Sequence, residues 1–234
     1  MRTIVLWDID NTLLYTGGAG SLGMARAFRD LYGVDDAFRS VEFSGRTDTA
    51  IFTDAALAHG IAADAIPVEL PRFIDAYVDH LRATLVETAG GRVMPGVVEL
   101  LNVLSQRDDV RLGLGTGNFR RGGELKVRHY ALDRYFQPLE GGFGEDSEDR
   151  AVVIACGIDR LRGRDDSDAR IVVIGDTPHD VTAARANGAY ALGVATGRDS
   201  VEELLLAGAD AALADLSDCE RVVGLIEPVS MVTR

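Results

Sequence analysis

The chain begins with the apolar run Thr3-Ile4-Val5-Leu6-Trp7, which breaks directly into Asp8-Ile9-Asp10-Asn11-Thr12-Leu13. A short run rich in β-branched residues is typical of a strand buried on both faces of a parallel sheet. Two carboxylates at its carboxyl end lie where open α/β sheets bind their ligands. Like charges buried together need a compensating cation, and carboxylate oxygens favour a hard divalent metal. The alternative is that Asp8 and Asp10 only begin a loop and cap the next turn.

The composition of the chain limits the functions that it can have. Its 234 residues, 47% hydrophobic and 26% charged, suffice for one substantial core and a smaller accessory domain. The net charge of −13 argues against nucleic acid and membrane partners, because nucleic acids and anionic lipids are themselves polyanions. An anionic substrate would therefore have to be held by local positive charge, part of which a metal would supply.

The cysteines and the first residues bear on the compartment. Cys156 and Cys219 lack metal-ligand spacing, which predicts unpaired thiols of a reducing compartment, with a disulfide as the alternative. The first apolar run ends at Asp8, before a secretory signal could form, and no apolar run is long enough to cross a bilayer. The sequence therefore predicts a cytoplasmic protein.

Residues 17–91 carry a helical pattern throughout. Helices are predicted over 19–32 and 47–59, the first ended by a glycine and the second capped by Thr47. Pro71 fits the first turn of a third, longer helix.

After residue 95 strands and helices alternate, as in a parallel sheet with right-handed crossovers. Strands are predicted at 110–114, 171–174, 190–194 and 211–213, and helices at 97–106, 122–130, 148–161, 178–187 and 200–206, with a closing helix capped by Ser217. The first strand belongs with this second pattern. Residues 1–16 and 92–234 are therefore predicted to form an α/β core, into which residues 17–91 are inserted as an all-helical cap over the strand ends.

Two later strands also end in chemically useful residues. Thr116-Gly117-Asn118 offers a hydroxyl and exposed backbone N–H groups, as phosphate-binding turns do. The alternative is a glycine-rich turn in which Thr116 caps the next helix. Asp176 follows the strand at 171–174 and would complete an oxygen-rich metal site. Asp180, in the first turn of the next helix, is either a further acid of that site or a complement to the helix dipole.

A phosphate group also needs a cation, and the sequence offers two. Arg150 begins the helix that precedes the Asp176 strand, and Lys126 lies on the helix after Thr116. The start of a helix in such a unit faces the carboxyl ends of the strands, which favours Arg150 over Lys126. A solvated surface charge is the alternative for either residue.

Taken in order, these segments resemble the four motifs of the haloacid dehalogenase superfamily. They are Asp8-Ile9-Asp10-Asn11-Thr12-Leu13, then Thr116, then a basic residue, then Gly175-Asp176-Thr177-Pro178-His179-Asp180. The resemblance spans residue 4 to about residue 197. The third motif departs from the family pattern, which commonly has lysine and proline where this chain has Arg150-Ala151.

The resemblance implies a Rossmann-like parallel sheet and a covalent mechanism. Asp8 would be the nucleophile that forms an aspartyl-phosphate, and Asp10 the general acid and then base. Mg²⁺ would be held by Asp8, the backbone carbonyl of Asp10 and Asp176, with Asp180 in support. The transferring phosphoryl group would be stabilised by Thr116, Gly117, Asn118 and Arg150 or Lys126.

The resemblance also bears on the reaction and the cap. Loss of halide needs no proton, and dehalogenases of this superfamily lack the second aspartate, so Asp10 favours phosphate-ester chemistry. The helical insertion is similar to the cap of phosphoglycolate-phosphatase-like and sugar-phosphate mutase members. Within it, Gly45-Arg46-Thr47-Asp48 resembles the loop that reaches into the site, where Arg46 would touch substrate; an exposed helix-capping loop is the alternative.

These observations predict a Mg²⁺-dependent phosphatase that acts on a small phosphorylated metabolite, as a monomer or homodimer. The alternatives are a sugar-phosphate mutase and a non-catalytic phosphate-binding protein. The whole interpretation requires that the carboxylates of Asp8 and Asp176 lie close enough to share one ion.

Overall fold

The computed structural model describes residues 2–163 and 167–227. Its strands are β1 (Thr3–Trp7), β2 (Leu14–Tyr15), β3 (Arg92–Val93), β4 (Val110–Gly115), β5 (Gly141–Gly142), β6 (Arg170–Gly175), β7 (Tyr190–Val194) and β8 (Ala211–Leu213). Its α-helices are α1 (Ala19–Tyr32), α2 (Asp48–Ala58), α3 (Ile66–Glu87), α4 (Val97–Ser105), α5 (Arg120–His129), α6 (Arg150–Leu161), α7 (Pro178–Ala186), α8 (Val201–Leu206) and α9 (Cys219–Ile226). A 3₁₀ turn covers Asp133–Tyr135.

The main sheet has six parallel strands in the order β5-β4-β1-β6-β7-β8. β1 lies near the centre, and its last residue, Trp7, is level with Leu114 of β4 and Ile174 of β6. The side chains that follow these three strands therefore emerge at one edge of the sheet. The predicted α/β fold with a Rossmann-like parallel sheet is confirmed.

Burial on both faces explains why β1 is central. All of its residues are buried, and successive side chains point to opposite faces. Val5 and Trp7 pack in the apolar layer that contains residues of α4 and α9, while Ile4 and Leu6 pack in the layer of α6 and α7. Each such side chain contributes roughly 1.5–3 kcal/mol to folding when it is fully buried.

Helices α1 to α3 are inserted between β2 and β3, which pair with each other in a short antiparallel ribbon. The three helices have an apolar cluster of their own, rich in aromatic rings. Phe52 and Phe73 stack at 4.4 Å between ring centroids, and Phe119, from the loop after β4, lies 6.3 Å from Phe73. One aromatic residue of the sheet layer thus completes the core of the insertion.

The third helix of the insertion does not start where the sequence predicted. It begins at Ile66 rather than at Pro71, which lies inside the helix, and Pro67 occupies the first turn instead. The Ala65 carbonyl accepts the N–H groups of Val68 and Glu69, which closes the first turn before Pro71 is reached. Pro71 then removes a single helical hydrogen bond, a cost that the buried face of this long helix offsets.

Several smaller predictions can also be compared with the structure. Thr47 caps α2 as predicted, but the cap of α9 is Asp218, whose side chain accepts from the Arg221 N–H, and not Ser217. The two-residue strands β2, β3 and β5 were not predicted, because they are too short to show alternation. Both cysteines are free, as predicted. No helix within the described residues is both long and apolar enough to span a membrane.

Candidate active site

Asp8 occupies the centre of the carboxyl edge of the sheet. Its backbone N–H donates to the Ile174 carbonyl at 2.9 Å, which extends the pairing of β1 with β6 by one residue. The side chain is buried, and its Oδ1 lies 2.7 Å from Nη2 of Arg150. The strand register therefore fixes this carboxylate in an enclosed position.

Two further acids meet Asp8 at this edge. Asp8, Asp176 and Asp180 are all buried, and each offers a carboxylate oxygen within 4.8 Å of the other two. The requirement that Asp8 and Asp176 could share one ion is therefore met. Asp176 follows β6 directly, whereas Asp180 arrives from the first turn of α7.

The electrostatics of these three acids favour a further positive charge beside them. Burial raises the pKa of Asp8 from 3.8 to about 6, because loss of hydration outweighs stabilisation by the Arg150 guanidinium. Burial and the neighbouring Asp8 carboxylate raise the pKa of Asp176 well above its ordinary value. Oδ2 of Asp176 is buried without a hydrogen-bond partner among the described residues. An oxygen-only donor set with excess negative charge and an unpaired oxygen fits a hard divalent cation.

The position of Asp180 is compatible with both of the roles that the sequence left open. Its Oδ2 accepts from the N–H and hydroxyl of Thr177 in a capping box at the start of α7. Its Oδ1 lies 2.6 Å from Nη2 of Arg150. The helix cap thus fixes the carboxylate that faces the cluster.

Arg150 is the cation in contact with the cluster. It is the first residue of α6, and its side chain is buried. Besides Asp8 and Asp180, Nη2 donates to the Gly115 carbonyl at 3.1 Å. Nε is buried and has no acceptor within the described part of the chain. The guanidinium is thus anchored at one nitrogen and has a further donor to offer.

Asp10 lies apart from this cluster and has different partners. Its Oδ2 accepts from Nδ2 of Asn118 at 2.8 Å and from Nζ of Lys126 at 2.5 Å. Lys126 is almost completely buried, although it is a lysine on a helix. The two candidate cations therefore serve different aspartates: Arg150 contacts Asp8, and Lys126 contacts Asp10.

The turn after β4 positions Asn118, a hydrogen-bond partner of Asp10. Oγ1 of Thr116 accepts from the backbone N–H of Asn118 at 3.3 Å and from its Nδ2 at 3.1 Å, which orients the amide towards Asp10. Thr116 is fully buried, while Gly117 and Asn118 line a cavity. The alternative that Thr116 caps the next helix is wrong, because the cap of α5 is Phe119.

That cavity has a volume of about 350 Å³ and lies between the strand ends and the inserted helices. Asp8, Asp10 and Asp176 line one side, and Met24, Ile51 and Tyr77 of the insertion line another. The Tyr77 hydroxyl is buried there without a hydrogen-bond partner among residues 2–163 and 167–227. A small ligand would thus meet polar groups at the sheet edge and a mixed wall opposite.

The loop that contains Arg46 packs tightly on the sheet layer. Gly117 has no room for a side chain, since an added Cβ would lie 2.2 Å from the Arg46 carbonyl oxygen. The Asp48 N–H donates to the Gly117 carbonyl at 2.7 Å, and Thr49 Oγ1 donates to the Gly144 carbonyl at 2.6 Å. This loop is therefore not an exposed one, although it does cap α2. Arg46 is among the residues that line the cavity, and its side chain pairs with Asp54 at 2.6 Å.

Asp48 is an unexpected member of this region. The sequence places it in the first turn of α2, where a carboxylate ordinarily complements the helix dipole in solvent. In the fold it is buried, and its Oδ2 accepts from the Phe119 N–H at 2.8 Å. Burial raises the pKa of Asp48 from 3.8 to about 7, against the opposing influence of the Lys126 charge.

This raised pKa predicts how stability depends on pH. A carboxyl whose pKa is raised in the folded state stabilises the fold below pH 3.8, and this contribution is lost as the pH rises to about 7. Asp48→Asn cannot titrate, so the free energy of unfolding of the wild type should fall relative to that of the variant over this range. The maximum slope is about 1.4 kcal/mol per pH unit.

Urea denaturation of both proteins between pH 5 and pH 8 in EDTA measures this difference. Other titrating groups are common to both proteins and cancel. Asp79→Asn, at an exposed position of α3, is the matched control and should follow the wild type. Parallel profiles for the wild type and Asp48→Asn would contradict the buried, titrating carboxyl.

Comparisons with known proteins agree with this architecture. Residues 3–188 match the family model described as haloacid dehalogenase-like hydrolase. No curated protein sequence matches the chain.

Solved structures share the fold over nearly the whole chain. A predicted phosphatase from Clostridium acetobutylicum is 21% identical with a TM-score of 0.68, over 96% of this chain and 99% of that one. CbbY from Rhodobacter sphaeroides, solved in complex with phosphate, is 18% identical with a TM-score of 0.67, over 93% and 96%. A Thermotoga maritima protein, provisionally assigned as a β-phosphoglucomutase, is 22% identical with a TM-score of 0.60, over 95% and 99%.

Proposed function

The chain belongs to the haloacid dehalogenase-like hydrolase family, and we propose that it is a Mg²⁺-dependent phosphatase acting on a small phosphomonoester through an aspartyl-phosphate at Asp8. One observation carries the proposal. Asp8 lies in a buried cluster with two other carboxylates, while the Asp10 side chain lies outside that cluster and accepts from Asn118 and Lys126. Two neighbouring aspartates with different surroundings suit the two roles of nucleophile and proton donor.

The proposed reaction has two steps. The Asp8 carboxylate attacks phosphorus, the bond from phosphorus to the alcohol oxygen breaks, and the departing alkoxide takes a proton from the Asp10 carboxyl. Water then attacks the aspartyl-phosphate and gives a proton to Asp10, and inorganic phosphate leaves with Asp8 restored. Bound Mg²⁺ would supply positive charge to the phosphoryl oxygens and to the nucleophile.

The groups that hold the metal and the phosphate are proposed from their surroundings. The side chains of Asp8, Asp176 and Asp180 and the backbone carbonyl of Asp10 would hold Mg²⁺. Arg150 is proposed as the phosphate-binding cation in preference to Lys126, because it touches the nucleophile and keeps a buried donor without an acceptor in the described chain. The turn of Thr116, Gly117 and Asn118 would contact the remaining phosphoryl oxygens.

We propose residues 17–91 as a cap domain over residues 1–16 and 92–234. Its separate aromatic core and the hydrogen bonds from α2 to the loops after β4 and β5 support a closed cap. Arg46, which is among the residues that line the cavity, is the proposed substrate contact from the cap. The phosphate complex of CbbY, which has the same fold, supports a phosphorylated metabolite as substrate.

Phosphate release by the purified protein tests the function. We expect hydrolysis of p-nitrophenyl phosphate and of at least one member of a metabolite panel in Mg²⁺, and none in EDTA. Asp176→Asn should raise the Mg²⁺ concentration for half-maximal activity by about tenfold or more, because loss of second-shell partners alone costs 10- to 100-fold. It should also reduce the rise in melting temperature that Mg²⁺ produces.

Asp108→Asn, at an exposed position, is the control and should titrate like the wild type. An unchanged metal titration in Asp176→Asn would contradict the ligand role. A wild type that hydrolyses no ester of the panel would favour a non-catalytic phosphate-binding protein.

A sugar-phosphate mutase is the second candidate. The Thermotoga maritima neighbour provisionally assigned as a β-phosphoglucomutase is the observation that favours it. A mutase would return the phosphoryl group from Asp8 to a sugar hydroxyl instead of to water. It would therefore isomerise a hexose phosphate and release little inorganic phosphate in the same assay.

A further inference from the structure

Lys126 is a buried cation that has no part in the two proposed reaction steps. Its side chain is 4% exposed, whereas that of its partner Asp10 is 38% exposed and lines the cavity. The ammonium lies 2.5 Å from Oδ2 of Asp10 and contacts neither Asp8 nor Asp176. A lysine buried in this way costs free energy unless its charge is paired, and the ion pair with Asp10 provides that compensation.

A glycine of the insertion leaves space for the ammonium of Lys126. Its ammonium lies against α1 of the insertion, where a Cβ added to Gly20 would be 3.3 Å from Nζ. The stem comes from α5, which belongs to the sheet layer. The ion pair therefore lies at the junction of the two parts of the chain, beside the cavity.

The bonds to Asp10 all converge on one of its two oxygens. Nζ of Lys126 and Nδ2 of Asn118 both donate to Oδ2. No described residue forms a hydrogen bond with Oδ1. The carboxyl is thus clamped at one oxygen, and the other is available to a ligand in the cavity.

We propose that Lys126 is a positioning residue for Asp10, which holds the carboxyl for proton transfer to the leaving oxygen and takes no part in binding the phosphate. The inference rests on the proposed function. It predicts that the effect of removing Lys126 depends on the leaving group. An alkoxide needs a proton as its bond to phosphorus breaks, whereas p-nitrophenolate leaves without one.

The test compares two esters in the same preparations. In Lys126→Met, kcat/KM for the best alkyl phosphate of the panel should fall by about 10- to 100-fold, a large part of what general acid catalysis provides. The same parameter for p-nitrophenyl phosphate should fall by less than about threefold. For this reaction kcat/KM reports the steps up to release of the alcohol, and the later hydrolysis of the aspartyl-phosphate does not affect it.

The kcat/KM for the alkyl phosphate divided by the kcat/KM for p-nitrophenyl phosphate does not depend on the fraction of folded enzyme. If Lys126→Met gives no soluble protein, Lys126→Gln is measured in its place. Arg128→Met is the matched control, since Arg128 lies on the same helix and pairs with Glu124 at the surface; both esters should react as with wild type. Equal losses on both esters, or no loss on either, overturn the positioning role alone. A wild type inactive on both in Mg²⁺ overturns the proposed function and the inference with it.

Discussion

Asp8→Asn is expected to lose at least about 10⁴-fold in kcat while the protein remains folded. The amide is a far poorer nucleophile than the carboxylate, and losing a catalytic nucleophile typically costs a factor of this order or larger. The stability of the fold should not decrease, because the substitution removes one of three buried acids that repel one another. Arg150 keeps its contact with Asp180 in the variant.

The stability of Asp8→Asn also has a defined dependence on pH. Since the pKa of Asp8 is raised from 3.8 to about 6 in the fold, its stabilising contribution is complete below pH 3.8 and is lost as the pH rises to about 6. Without metal, the free energy of unfolding of the variant should therefore rise relative to that of the wild type as the pH increases over this interval. Above it, in EDTA, the variant should melt at the same temperature as the wild type or higher.

Turnover of p-nitrophenyl phosphate in saturating Mg²⁺ and melting curves in EDTA measure these two effects. Acid-quenched wild type should carry a covalent phosphoryl group after reaction, and the variant should carry none. Asp64→Asn, at an exposed position of the insertion, should match the wild type in every respect. Retained turnover in Asp8→Asn would remove this residue from the nucleophile role.

The part of the site that lies on parallel strands could be predicted from the sequence. Asp8 and Asp176 each follow a short apolar run, and parallel strands in one sheet bring their carboxyl ends to one edge. The closeness of the two carboxylates required in addition that β1 and β6 be neighbours in the sheet, which the strand order confirms. That is why the required closeness of the Asp8 and Asp176 carboxylates, the most demanding geometric prediction, is found in the fold.

The parts that depend on packing between helices could not be predicted. Arg150 and Lys126 are both basic residues on helices, and only the packing of α5 and α6 decides which aspartate each one contacts. Asp48 has the sequence context of an exposed first-turn residue, and it is buried because the loop before α5 places Phe119 in the core of the inserted helices. Pro67 and Pro71 are equally acceptable near a helix start, so the periodicity alone could not choose between them.

Arg150→Met is the second variant for which a large effect is expected. Arg150 is the cation that touches both Asp8 and Asp180, and its removal leaves the buried carboxylates without a contacting cation in the described chain. Removing one member of a buried ion pair costs about 3–5 kcal/mol, so the variant should be destabilised by this order in EDTA. If Arg150 contacts the phosphoryl group as proposed, loss of this donor should lower kcat/KM by about 10²- to 10³-fold.

Mg²⁺ separates the two contributions of Arg150. Binding to the three carboxylates should restore part of the stability of Arg150→Met, whereas turnover should stay low because the proposed phosphate contact is still absent. Arg128→Met is the control, since Arg128 is exposed and pairs with Glu124 on the same surface helix, and such pairs contribute about 0–1 kcal/mol. Urea denaturation with and without Mg²⁺ and phosphate release measure the two properties.

Arg150→Lys shows whether charge or shape matters at this position. The haloacid dehalogenase family commonly has a lysine in the third motif, so a single ammonium suits the chemistry in related sites. A lysine at this position would act as a point charge on Asp8 or on the phosphate. It lacks the planar guanidinium, in which Nη2 contacts Asp8 and Asp180 while Nε stays free for a further hydrogen bond among the described residues. We expect Arg150→Lys to retain kcat/KM within about tenfold of the wild type, against the larger loss in Arg150→Met. Equal, large losses in both variants would mean that the guanidinium geometry itself is required, and wild-type activity in Arg150→Met would exclude Arg150 as the phosphate-binding cation.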